Sequence, residues 1–156
     1  MSELRLALEV PRWAARFYLR HWPVVVGLSL VASVQRLVAV NRGLPGAMGF
    51  ATEVVVLAAR VALVVVVWRL AVRGERPRWA AARAFASRHR RSLLWQVALL
   101  AAAFLVFDVG LESLGSSPTY LAVLLFVKNP TVIAFTVVWW VGIARQAAVS
   151  RPVPVG

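Results

Sequence analysis

The sequence contains no cysteine, only six acidic residues, and a single lysine, Lys128, among seventeen arginines. Without thiols there are no disulfides, thiolate metal centres or cysteine nucleophiles. Charged residues make up 15% of the 156 positions. A nucleic-acid binder is therefore excluded despite a formal charge of +12, because such a protein needs a polar, largely charged surface. Intrinsic disorder is excluded by the 61% hydrophobic content, since low hydrophobicity is what keeps chains unfolded. What the chain has in quantity is apolar residues in long blocks, with a mean hydropathy of +0.76, the pattern of the membrane class. Its Arg-, Ala- and Val-rich usage points to a high-GC bacterial genome, and so to a multi-pass protein of the cytoplasmic membrane.

A membrane helix needs ~20 mostly apolar residues to cross ~30 Å of hydrocarbon. Four segments qualify: Pro23 to Val40, Ala51 to Ala71, Ser92 to Leu111, and Thr119 to Ala144. Asn41 to Phe50, rich in Gly and Pro, and Gly115 to Pro118 read as tight connections. The second span carries Arg60, but its ten Val and Leu residues between Val54 and Val67 offset that charge. At roughly −0.3 to −0.6 kcal/mol each, they outweigh an Arg costing ~3 kcal/mol. The expected fold is an all-α, four-helix transmembrane bundle forming a single membrane domain.

Orientation follows from the basic residues flanking the spans. Fourteen of the eighteen fall in the N-terminal flank, the middle loop and the C-terminal tail, against Arg42 alone in the opposite loops. Both termini are therefore expected in the cytoplasm. Trp22, Trp68, Trp95, Trp139 and Trp140 lie at the cytoplasmic span ends, and Trp13 and Trp79 in the cytoplasmic flanks. The N-terminus reads as a retained signal anchor, because its leader is long and no small-residue cleavage site follows.

Pro11-Arg12-Trp13-Ala14-Ala15 recurs as Pro77-Arg78-Trp79-Ala80-Ala81. Each copy precedes a basic arm, a histidine (His21, His89) and two spans. This pattern predicts two arm-plus-hairpin units, about residues 3–73 and 74–150, in the same orientation. In the first arm Arg5, Glu9, Arg12, Arg16 and Arg20 make a charged stripe, with Leu6, Val10, Trp13 and Phe17 as an apolar stripe beside it. Pro11 would begin or kink that helix. The arm is expected to lie flat, with its aromatics at the acyl boundary and its arginines toward anionic headgroups. The second arm, with Trp79, Arg83, Arg90 and Arg91, is basic but poorly amphipathic.

Ionisable residues inside a membrane are costly and mark function or specific pairing. Arg60 and Lys128 are eight and nine residues from Thr52 and Thr119, or ~12 and ~13.5 Å along a helix, which is near the midplane. Glu53, Asp108 and Glu112 are the candidate counter-charges: Glu53 for Arg60 on one face, Asp108 for Arg36. Ser29, Ala32, Ser33 and Arg36 form a small, polar stripe expected to face the bundle interior. Pro130 cannot donate to the carbonyl of Phe126, so a kink and a freed acceptor are expected there. A second reading starts the fourth span near Pro130 and leaves Lys128 at the outer interface.

No catalytic constellation is present. His21 and His89 read as interfacial side chains, and Ser116 and Ser117 as turn residues. No glycine-rich phosphate loop, HExxH or GxSxG occurs. No cofactor or metal is expected. The chain reads as a non-enzymatic accessory or scaffold subunit contacting anionic membrane lipids, a partner membrane protein or a second copy of itself. The alternative is a small transporter or channel for an anionic solute, using the intramembrane basic residues.

Overall fold

The computed structural model describes residues 3–42, 46–115 and 117–149. Regular structure among them is entirely helical. In chain order the elements are α1 (Glu3–Arg20), α2 (Trp22–Arg42), α3 (Gly46–Ala71), α4 (Trp79–Arg88), α5 (Arg90–Glu112), α6 (Pro118–Lys128), a π-helical turn (Asn129–Ile133) and α7 (Ala134–Val149). Met48–Ala71, Arg90–Leu111 and Thr119–Val149 are each long and apolar enough to cross a membrane. The bent pair Glu3–Arg20 and Trp22–Gln35, at 87°, makes a fourth crossing if counted as one span.

Several boundaries differ from those expected. The glycines and proline of Asn41 to Phe50 were expected to form a loop, yet Asn41 and Arg42 complete α2 and Gly46 to Phe50 open α3. Residues 43–45 lie outside the described residues. Pro11 neither begins nor breaks α1, which runs through it. An interior proline costs about 3 kcal/mol, and here the buried stripe of Ala7, Val10, Ala14 and Phe17 offsets it. The helix that carries Pro130 is likewise unbroken from Pro118 to Val149. No helix therefore begins at Pro130, and Lys128 lies within a continuous helix.

The core gathers around α7. Val138 and Trp139 meet Val10, Ala14 and Phe17 of α1, and Leu63, Val67 and Ala71 of α3. Apolar burial drives little association among helices in lipid, where close approach of backbones matters more. That condition is met where α2 brings Ser29, Ala32 and Ser33, all buried, against α6 and the π turn. The expected inward stripe is thus observed at those three positions.

At one end of the bundle, α1 and α4 pack against α7, and α1 also meets the start of α5. The first arm therefore lays Val10 and Phe17 of its apolar stripe on the chain's own helices, with Leu6 and Trp13 half-buried. Gly142 makes this approach possible, because a Cβ there would lie 2.8 Å from the Trp13 ring and 3.0 Å from Val10. Three polar links fasten the same end. Gly74, at φ +82°, turns the chain after α3, and Arg145 bonds both Glu75 and the carbonyl of Ala71. The amide of Arg78 donates to Ala148 O at 2.9 Å. The carboxylate of Glu3 accepts from the Ser92 amide (3.1 Å) and lies 3.1 Å from His89 Nδ1, closing the otherwise uncapped start of α5.

Candidate functional site

Pro130 sits in the middle of a 31-residue helix. It removes one amide donor, and the wider π turn displaces others, so several carbonyls need new partners. In lipid an unsatisfied carbonyl costs several kcal/mol. Side chains donate to four carbonyls around the turn. Ser33 Oγ donates to Phe126 O (2.8 Å), and Asn129 Nδ2 to Leu125 O (3.1 Å). Thr131 Oγ1 donates to Val127 O (2.7 Å), and the Tyr18 hydroxyl to Pro130 O (2.5 Å). The freed acceptor expected at Phe126 is present and occupied. In place of a break, the helix carries a π turn held by α1 and α2.

Lys128 precedes this turn and is 6% exposed, with Nζ 5.9 Å from the centroid of Phe104 on α5. Asn129 is 4% exposed. Beside them lies a cavity of about 280 Å³ between α2, α3, α5 and the π turn, lined by Ser29, Arg60, Phe104, Asn129 and Ile133 among others. The structure thus brings Lys128, Pro130 and Arg60 to one level of the bundle.

Arg60 differs from Lys128. It is exposed on the wall of α3, eight residues from Trp68, and it makes no hydrogen bond or ion pair among the described residues. Its expected counter-charge, Glu53, accepts from Gln35 Nε2 at 3.3 Å. Gln35 also reaches Thr52 Oγ1, tying α2 to the start of α3. The side chains of Arg36, Asp108 and Glu112 lie outside the described residues, and with them the expected pairing of Arg36 with Asp108.

Comparison with family models, curated proteins and solved structures gives no match to this chain.

At the arm end, Arg12, Arg16 and Arg20 lie on the exposed side of α1, while Phe17 is buried and Trp13 half-buried. Trp79 is exposed and stacks on Trp68 with ring centroids 6.2 Å apart. Arg83, Arg90 and Arg91 are exposed. Among the described residues no group of three His, Cys, Asp or Glu side chains comes together in a way that could hold a metal ion.

Several residues of this region escaped the sequence pattern. Tyr18 reads as one more aromatic on an amphipathic helix, yet its hydroxyl bonds a residue 112 positions away. Gln96, fully buried, donates to Gln146 Oε1 at 2.9 Å, and Gln146 reaches the Leu6 carbonyl at 3.3 Å. Glutamine within an apolar block was the available signal, since a polar amide in such a block needs a partner.

Proposed function

We propose that the chain is a four-crossing protein of the cytoplasmic membrane, and that it serves as a non-enzymatic accessory subunit pairing with a partner membrane helix. In this reading α2 makes the first crossing, both termini are cytoplasmic, and the arms α1 and α4 lie on the cytoplasmic side. The charge count supports that orientation, with fourteen of eighteen basic residues in the segments assigned there. Two arm-plus-hairpin units are supported by their junctions. His21 stacks on Phe17 at 4.4 Å and His89 on Phe85 at 4.9 Å, each where an arm gives way to a span.

The observation that carries the partner is Arg60. An arginine at the centre of a membrane helix costs ~2.5–3.5 kcal/mol on insertion scales, and such residues usually face a bundle interior and pair. Arg60 instead is exposed on α3 beside the cavity and makes no hydrogen bond or ion pair among the described residues. A carboxylate or a set of carbonyls on a neighbouring helix would complete it. The experiment is co-purification from native membranes in mild detergent. Arg60→Leu should release the partner and Arg60→Lys should retain it. A wild-type protein that runs alone and is unaffected by Arg60→Leu overturns the reading.

The cavity beside Arg60 and Asn129 favours one other reading, passage of an anionic solute. Flux into liposomes that falls on Lys128→Ala would support it over the accessory role.

A further inference from the structure

We propose that the groove between α1 and α7 is a binding site for a phosphate ester group at the membrane surface. The groove has a volume of about 360 Å³ and is lined by Glu9, Arg12, Trp13, Arg16, Arg145 and Gln146, with Val10 and Gly142 at its floor. Its depth follows from the tryptophans, which favour the membrane interface. Gly142 and Arg145 come two and five residues after Trp140, ~3 and ~7.5 Å further along the helix, which is headgroup level. The placement rests on the orientation proposed above.

The charges divide into a fixed set and an available one. Arg145 is fixed: Nε donates to Ala71 O at 2.9 Å, one Nη pairs with Glu75, and the guanidinium lies 5.4 Å from the centroid of the Trp13 ring. It forms a rigid wall whose charge is largely answered. Arg12 and Arg16 are one turn apart and exposed, and neither is in an ion pair among the described residues. Arg16 Nε donates to the carbonyl of Arg12 at 3.4 Å, which holds its base along the helix and leaves both Nη groups to reach into the groove. Glu9 is the one acid there. Two available guanidinium groups against one carboxylate leave a net positive site, with the forked donors that match phosphate oxygens. The concavity distinguishes this place from the rest of the arginine stripe, because the Trp13 ring seated on Gly142 provides a floor that Arg5 and Arg20 lack.

The test uses the full-length chain in nanodiscs of mixed phosphatidylcholine and phosphatidylglycerol, with retained lipid counted by native mass spectrometry. Arg12→Gln with Arg16→Gln should lower retention of phosphatidylglycerol by about tenfold or more, as expected for losing charge-assisted bonds. Arg5→Gln with Arg20→Gln removes the same charge from the same helix face and should leave retention within about twofold, because only diffuse attraction is lost. Equal losses in the two double variants, or a wild type that holds phosphatidylglycerol no better than phosphatidylcholine, overturn the proposal. Glu9→Gln, which keeps every arginine, should raise retention, and no change there also counts against the groove. Titrating glycerol 3-phosphate into the detergent-solubilised protein separates the sources. Binding there assigns the groove to a soluble ester, while lipid retention without it assigns the groove to a headgroup. Co-purification through Arg60 does not enter this readout, so the two proposals fail separately.

Discussion

The hydroxyl of Ser33 donates to the carbonyl of Phe126 across 2.8 Å, and that carbonyl is the one Pro130 leaves without its helical donor. A residue on α2 thus completes a helix 93 positions away. The small, polar side chain that permits close packing also supplies the missing hydrogen bond.

This relationship predicts a coupling. Ser33→Ala should destabilise the detergent-solubilised protein by about 1–2 kcal/mol, since a buried carbonyl loses its donor. In a Pro130→Ala background the amide is restored, and the cost of Ser33→Ala should shrink by at least half. The check is a double-mutant cycle from denaturant unfolding. Additive costs would mean that Ser33 matters for packing alone.

A second prediction concerns the seam between α1 and α7. Gly142→Ala places a methyl group 2.8 Å from the Trp13 ring, with helix backbone behind it, so α1 must move. Overpacking of this kind typically costs about 1–3 kcal/mol. Limited proteolysis should cut α1 faster in Gly142→Ala than in the wild type. Trp13→Leu should relieve part of the difference.

The third prediction is at the start of α5. Glu3→Gln should weaken the cap on that helix by about 1 kcal/mol or less, because the carboxylate is partly exposed and answers both an amide and a helix dipole. Hydrogen exchange should accelerate at the Ser92 amide and leave the amides of α3 unchanged. Equal acceleration at both would show global loosening in place of a lost cap.

Much of this organisation was legible in the residue pattern. Three long apolar helices, the inward Ser29, Ala32 and Ser33, and the freed Phe126 carbonyl all follow from local chemistry. What was not legible is non-local. The apolar stripe of α1 has the same spacing whether it meets lipid or protein, and its close approach to α7 depends on the distant Gly142. Likewise the glycines before Phe50 signal a turn by composition. The place of Gly46 and Gly49 in a 26-residue helix depends on the apolar residues that follow. For Pro130 the sequence marks the lost donor, but the π turn that absorbs it depends on acceptors' partners from α1 and α2. Glu53 pairs with Gln35 because the α2–α3 hairpin sets those two side by side, which a one-helix spacing argument for Arg60 could not foresee.

The π turn also sets the phase of everything after it. One residue beyond the α-helical repeat rotates the downstream helix by ~100° about its own axis relative to the upstream one. α6 therefore turns its buried side to α2, while α7, on the same column, turns its own to α1, α3 and α4. Deleting a single residue between Asn129 and Ile133 would bring the two halves into register, swinging Gly142 away from Trp13 while leaving α6 seated. The column works as a geared shaft, and Pro130 marks the tooth.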